Sequence, residues 1–346
     1  MVSSKLKELF TTKLSLAIFI LYILLFVNQG LLVTASQNTD NSYDYNIVTT
    51  VLFTEILKLI LSTCIYLKSH TVKSYGNEIL KNKKLLLLYF VPALLYCVYN
   101  NLSFTNLSSF DPTTYYLLLQ FRVVVTGILF QIIFGKHLTK AQWVSLIVLT
   151  VGCMLKQLKF NPDTETKESS KSTSLVLDIH TLFLLVQILC SCLAGVYNEY
   201  LLKEQGADVD IYMQNVFMYL DSIICNVFFL PFVGNFSNAF AFDSIKKIIH
   251  PKVLVVILNN ACIGIVTSFF LKTLNSILKT FASALELILT AILSWIFFGI
   301  PIYLNTFLSI CTVFFAIYLY SRNPVSNIPS TSQQDIRKKP LLAEEV

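Results

Sequence analysis

The chain alternates long apolar runs with short polar separators. Runs of about 20 residues, the length of helix that crosses a bilayer, recur ten times: 13–34, 46–67, 85–107, 112–134, 141–157, 177–202, 211–234, 252–273, 276–298 and 303–320. Each predicts a transmembrane helix. Several separators are only a few residues long: Ser108 to Asp111, Lys136 to Lys140, and the Gly299–Ile300–Pro301 turn. Such short links make the flanking helices antiparallel neighbours. Residues 158–176 form a Ser/Thr/Lys/Glu-rich linker that divides the runs five and five, and 323–346, ending RKKPLLAEEV, predicts a disordered tail. The opening segment 1–12 is basic and amphipathic. The run after it is too long for a signal-peptide core and lacks an Ala-x-Ala exit, so it reads as a retained first span.

The halves resemble each other. Laying 107–135 over 271–299 matches Leu107, Thr126, Phe134 and Gly135 with Leu271, Thr290, Phe298 and Gly299. Arg122 then falls opposite Glu286, and Tyr115 opposite Lys279. Five is odd, so the second half would be inverted relative to the first. The expected fold is an all-α membrane protein of ten transmembrane helices, built as two inverted five-helix repeats, 13–157 and 177–322. A site in that plan lies at the midplane between the repeats.

Composition agrees. Of 346 residues, 55% are hydrophobic and 13% charged, against about 25% charged in soluble domains. Mean hydropathy is +0.66. The net charge of +6 is less informative than its distribution. Lys and Arg collect in the N-terminal segment, after span two (Lys68, Lys73, Lys81, Lys83, Lys84), after span four (Lys136, Lys140) and in the tail (Arg322, Arg337, Lys338, Lys339). Loops 35–45, 108–111 and 299–302 hold none. Lys159, Lys167 and Lys171, partly balanced by acids, and Lys246 and Lys247 are the exceptions. By the charge bias of short loops both termini are cytosolic and 158–176 is luminal. Asn235 heads a luminal glycosylation sequon, whereas Asn106 lies too near the membrane for modification.

There is no Gly-rich phosphate loop, HExxH or CxxC pattern. The eight cysteines are scattered through apolar runs, Cys190 and Cys192 among them, and the four histidines share no helical face. No metal or cofactor is expected. Asp208 and Asp210 in a short loop read as solvated helix-start residues, so no acidic pair suggests an enzyme. The informative residues are charges inside apolar runs. Lys279 and Glu286 are seven apart in LKTLNSILKTFASALELILTAILSWIFF (271–298), and Tyr115 and Arg122 are seven apart in 112–134. A charge at the bilayer centre costs on the order of 3 kcal/mol on insertion scales and normally faces a cavity or partner. The pattern suggests a carrier with an anion-binding cavity. The alternatives are a Lys279 that snorkels to the interface and an Arg122 paired with Glu286.

Seven segments, in order, carry a resemblance: FTEILKLILS (53–62), PALLYCVYNNLSF (92–104), LSSFDPTTYYLLLQFRVVVTGILF (107–130), HLTKAQWVSL (137–146), LAGVYNEYLLK (193–203), QNVFMYL (214–220) and NSILKTFAS (275–283). Together they resemble the nucleotide-sugar transporters of the drug/metabolite transporter superfamily, in the branch carrying CMP-sialic acid and UDP-sugars. The resemblance implies ten helices in a Golgi (or ER) membrane and exchange of a cytosolic pyrimidine nucleotide sugar for a luminal nucleoside monophosphate. The partners are then these nucleotides and the lipid bilayer, with no nucleic acid; a homodimer is compatible with the sequence. A carrier for another phosphorylated or anionic metabolite is the alternative, and both UDP and CMP stay open.

The resemblance also implies roles. Arg122 stands where the family has a basic residue, usually lysine, and Lys279 matches a lysine of the ninth-helix motif; both would contact phosphate. Tyr115 would offer its hydroxyl to phosphate or sugar. Asn215 and Tyr219, i and i+4 on span seven, would hold the nucleobase by amide hydrogen bonds and stacking. Asp221 stands where sialic acid carriers tend to have Ser, and could accept from an exocyclic amine. Tyr96, Asn100 and Asn101 form a polar patch on span three. Glu55 with Lys58 and Glu199 with Lys203 sit at helix spacing as neutralising pairs, with Glu55 deep enough to line a cavity.

Overall fold

The structure is a computed structural model. It describes residues 10, 12–36, 47–109, 112–157, 179–229, 241, 245–246, 248–299 and 303–325. The segments 1–9, the linker 158–176, Asn235 and 326–346, for which the sequence carries expectations, lie outside the described residues. Within them the chain is all-helical, with no strand. The helices are α1 (Lys13–Ser36), α2 (Ile47–Ser69), α3 (Val72–Lys81), α4 (Lys83–Ser109), α5 (Pro112–Leu119), α6 (Arg122–Phe134), α7 (Lys140–Gln157), α8 (Ile179–Tyr200), α9 (Ile211–Phe229), α10 (Pro251–Thr273), α11 (Ser276–Phe298) and α12 (Leu304–Arg322). A π-turn, Leu201–Gln205, extends α8. Eight helical stretches are long and apolar enough to cross a membrane. The fifth and seventh expected spans are the helices α7 and α9, which fall outside those eight.

Two local features depart from the expected pattern. The basic segment after span two is not a plain loop. It contains α3, capped by Thr71, whose hydroxyl accepts from the Ser74 amide at 3.3 Å. Span four is broken between α5 and α6. The Gln120 side-chain amide donates to the Tyr116 carbonyl at 3.1 Å, taking the acceptor that a continuous helix would give to the Gln120 N–H. The Gln120 and Phe121 amides instead bond three residues back, to Leu117 and Leu118. Arg122 therefore opens a new helix.

α6 and α11 end alike. Gly135 after Phe134 and Gly299 after Phe298 take left-handed φ of 60° and 66°, a conformation that glycine adopts without a Cβ penalty. Helix packing is also regular. α2 lies against α9, α6 against α11 and α7 against α12; α1 packs on α10 as α4 packs on α8, and α1 on α11 as α6 on α8. α7 and α12 approach closely at Gly152, where an added Cβ would sit 3.0 Å from Val313 Cγ2. Small residues serve this purpose in membrane bundles, where dispersion and close approach replace the hydrophobic drive between helices. The main core joins α1, α6, α7, α10, α11 and α12 around Tyr22, Phe130, Leu146, Phe270 and Phe281, with Phe281 stacked on Tyr320 at 4.4 Å. Outward apolar residues such as Leu14, Ile132, Ile147, Phe297 and Phe314 are exposed, as a lipid-facing surface requires.

Candidate functional site

Two cavities meet at Lys279. The larger, about 480 Å³, is lined by α1, α2, α4, α8, α9 and α10. The smaller, about 110 Å³, lies between α6, α7, α8 and α11. Lys279 lines both.

The smaller cavity is cationic. Arg122, at the start of α6, and Lys279, at the start of α11, both border it. Among the described residues the ion pairs are Glu55–Lys58 and Glu199–Lys203, and neither includes Arg122 or Lys279. The pairing of Arg122 with Glu286 is therefore not made within 4 Å. Lys279 turns into the protein rather than towards the interface. Hydroxyls of Thr126, Ser191, Thr280 and Ser283 complete the lining. The wall is backed by Arg122's own carbonyl, which accepts from Thr126 Oγ1 at 2.7 Å and Cys192 Sγ at 3.3 Å. Two cations in a small polar-lined cavity suit a dianion stripped of water.

The junction that presents Lys279 is built by the α8 pair. Glu199, 1% exposed, accepts from Lys203 Nζ at 2.7 Å and from the Ser276 amide at 2.7 Å. Lys203 also donates to the Leu274 carbonyl, and Asn275 Oδ1 accepts from the Leu278 amide at 2.7 Å. One carboxylate and one ammonium thus satisfy both backbone ends where α10 stops and α11 starts. This pair is structural, as its position at a span end suggests.

The larger cavity is polar and mixed in charge. Lys58 bonds Glu55 at 2.5 Å, and its ammonium lies 5.3 Å from the centre of the Tyr219 ring. Tyr96 and Asn100 face in from α4, Asn198 from α8, and Asn260, Gly264, Thr267 and Ser268 from α10. Gly264 is required by close approach: a Cβ there would sit 2.7 Å from Lys58 Cδ and 3.2 Å from the Tyr219 hydroxyl.

Arg122, Lys279, Tyr219, Tyr96 and Glu55 are therefore brought together, and four other expected residues are placed differently. Tyr115 is buried away from both cavities, its hydroxyl bonded to Ser103 at 3.1 Å and Gln187 at 2.7 Å. The seven-residue spacing to Arg122 implied a shared face, but the break at Gln120–Phe121 removes that register. Asn101 donates to the carbonyl of Cys97 on its own helix at 2.8 Å, and Asn100 lines the cavity instead. Asn215, 2% exposed with an unpartnered side-chain amide nitrogen, lies one turn before Tyr219, off the lined surface. Asp221 is buried two residues past Tyr219 and does not line the larger cavity, unlike its helix neighbours Met218, Tyr219, Ser222 and Asn226.

The α10 contribution escaped the sequence reading. Asn260, Gly264 and Thr267 recur at i, i+4 and i+7 in an otherwise apolar helix, a polar stripe that marks a cavity face. Asn198 and the hydroxyls around Arg122 carry no such periodic signal.

The profile of a family described as "Nucleotide-sugar transporter" matches residues 11–321. A relative from Drosophila melanogaster, "UDP-galactose transporter senju", is 52% identical, covering 99% of this chain and 97% of its own. "CMP-sialic acid transporter 1" of Oryza sativa subsp. japonica is 29% identical over 87% of this chain and 93% of its own. "CMP-sialic acid transporter 4" of the same plant is 32% identical over 84% and 72%. A solved crystal structure shares the fold with a TM-score of 0.62 at 12% identity, covering 90% of this chain and 98% of that one.

Proposed function

The chain belongs to the nucleotide-sugar transporter family, and from that premise we propose that it is an alternating-access exchanger, moving a pyrimidine nucleotide sugar one way and a nucleoside monophosphate the other. UDP-galactose is the favoured substrate, because the 52% identical relative is named for it. The observation that carries the proposal is the union of the two cavities at Lys279. Phosphate charge is met by Arg122 and Lys279, and the base is held in the wider cavity beside Tyr219.

Alternating access needs two related halves. The packing supports the reading of ten spans in two inverted repeats. If α1, α2, α4, α6 and α7 correspond to α8, α9, α10, α11 and α12, then α1–α10 mirrors α8–α4, α2–α10 mirrors α9–α4, and α1–α11 mirrors α8–α6. The contacts α2–α9, α6–α11 and α7–α12 map onto themselves. The left-handed glycines at 135 and 299 also fall at equivalent places. The domain reading follows: a cytosolic N-terminal segment, repeats over 13–157 and 177–322 joined by a luminal linker, and a cytosolic tail, in a Golgi or ER membrane.

A thermal-shift screen of nucleoside monophosphates on the purified full chain tests the site. UMP is expected to raise the melting temperature, and uridine, lacking the phosphate, to do so far less. Stabilisation by a sugar phosphate with no response to any nucleotide would favour the rival reading, a carrier for other phosphorylated metabolites.

A further inference from the structure

α3 has a surface that transport does not explain. Its inner face is seated. Tyr66 donates a hydrogen bond to Glu78, Tyr75 meets Tyr66 edge-on at 5.8 Å, and Ile79 joins the same cluster. Its opposite face carries Lys73 and Leu80, seven residues and so almost two full turns apart. Val72 and Leu80 are each 73% exposed, and no residue of α3 is buried.

The charge around this face is of one sign. Lys68, Lys73, Lys81, Lys83 and Lys84 are all exposed, and neither ion pair among the described residues involves them. The single acid of 68–84 is Glu78, which is engaged by Tyr66. The position is as telling as the charge. α2 ends at Ser69 and α4 starts at Lys83, so the helix is tied at both ends to stretches long and apolar enough to cross the membrane. It is held at the membrane boundary. Exposed apolar side chains flanked by lysines at that level match an interfacial helix, whose apolar residues enter the headgroup region while its lysines meet lipid phosphate.

We propose that α3 is an anionic-lipid docking element, its lysines binding the phosphates of acidic phospholipid headgroups in the adjacent leaflet, with Val72 and Leu80 inserted beside them. This is independent of which nucleotide the cavity takes. With the proposed topology the leaflet is the cytosolic one, which carries the anionic lipids.

The test is hydrogen–deuterium exchange of the full-length protein in nanodiscs of phosphatidylcholine alone or with added phosphatidylserine. Amides of 68–84 are expected to exchange roughly fivefold or more slowly with phosphatidylserine present, since each lysine near an acidic surface contributes a factor of about that size. High salt should remove the difference. Lys73→Gln/Lys81→Gln/Lys84→Gln should lose it while still binding UMP, which shows the fold intact. Val72→Ser/Leu80→Ser should exchange faster in both lipids. Equal exchange of the wild type in the two lipids overturns the proposal, as does a triple variant that keeps the difference. If UMP in phosphatidylcholine discs protects the segment equally, the lysines read soluble phosphate and the lipid assignment fails.

Discussion

Arg122 and Lys279 share a confined space, and among the described residues no carboxylate lies within ion-pair distance of either. Two such cations repel each other and invite an anion. Lys279→Ala should therefore abolish exchange and weaken UMP binding far more than uridine binding, read by isothermal titration. Equal losses for the two would mean that the lysine does not read phosphate. Arg122→Lys should keep part of the activity, because the charge survives while the two-pronged guanidinium contact does not. Tyr219 lines the larger cavity with Lys58 5.3 Å from its ring centre, and it is the proposed partner of the base. Tyr219→Ala should weaken UMP by about 1–3 kcal/mol, and Tyr219→Phe, which keeps the ring, by much less. An unchanged affinity in Tyr219→Ala would place the base elsewhere. These cations were legible because a charge in an apolar run is conspicuous. The structure puts Tyr115 and Asn101 off the cavity walls for a different reason: helical spacing assigns faces only while the helix is continuous and the side chain is not claimed by its own backbone. Gln120 breaks the first condition, and the Asn101 bond to Cys97 the second.

Helix ends carry more of the site than helix middles. The Leu274–Ser276 junction is held by one buried carboxylate and one ammonium, with side chains 1% and 11% exposed. Glu199→Gln leaves Lys203 without its counter-charge, a loss expected to cost about 3–5 kcal/mol. Glu199→Gln/Lys203→Met, removing both charges, should recover part of that stability, as read by thermal unfolding. A double variant less stable than the single would contradict the pairing. Most helix positions followed from run length alone, and the observed boundaries differ from the expected ones by about two residues at most places. What run length hid was α3, whose lysines resemble a loop until Thr71 is read as a cap and Tyr75 and Ile79, one turn apart, as an inner apolar face.

Across the whole molecule the largest contacts between the halves pair off under the proposed repeat assignment, α1–α10 with α4–α8 and α1–α11 with α6–α8. The sequence hinted at it only through two "FG" exits and the five-and-five division, since apolar helices share leucines whatever their ancestry. With the proposed ten spans, an even number, both termini fall on one side. Tags at residues 1 and 346 should both react from the cytosol in selectively permeabilised cells, and a tag reached only after internal membranes are opened would overturn the span count. Coupled exchange of nucleotides is read by counterflow in liposomes holding the purified chain. Vesicles preloaded with UMP should accumulate external UDP-galactose many times faster than empty vesicles, and the Lys279→Ala variant should show no such stimulation. Equal uptake by loaded and empty vesicles, or stimulation that survives Lys279→Ala, would contradict the account.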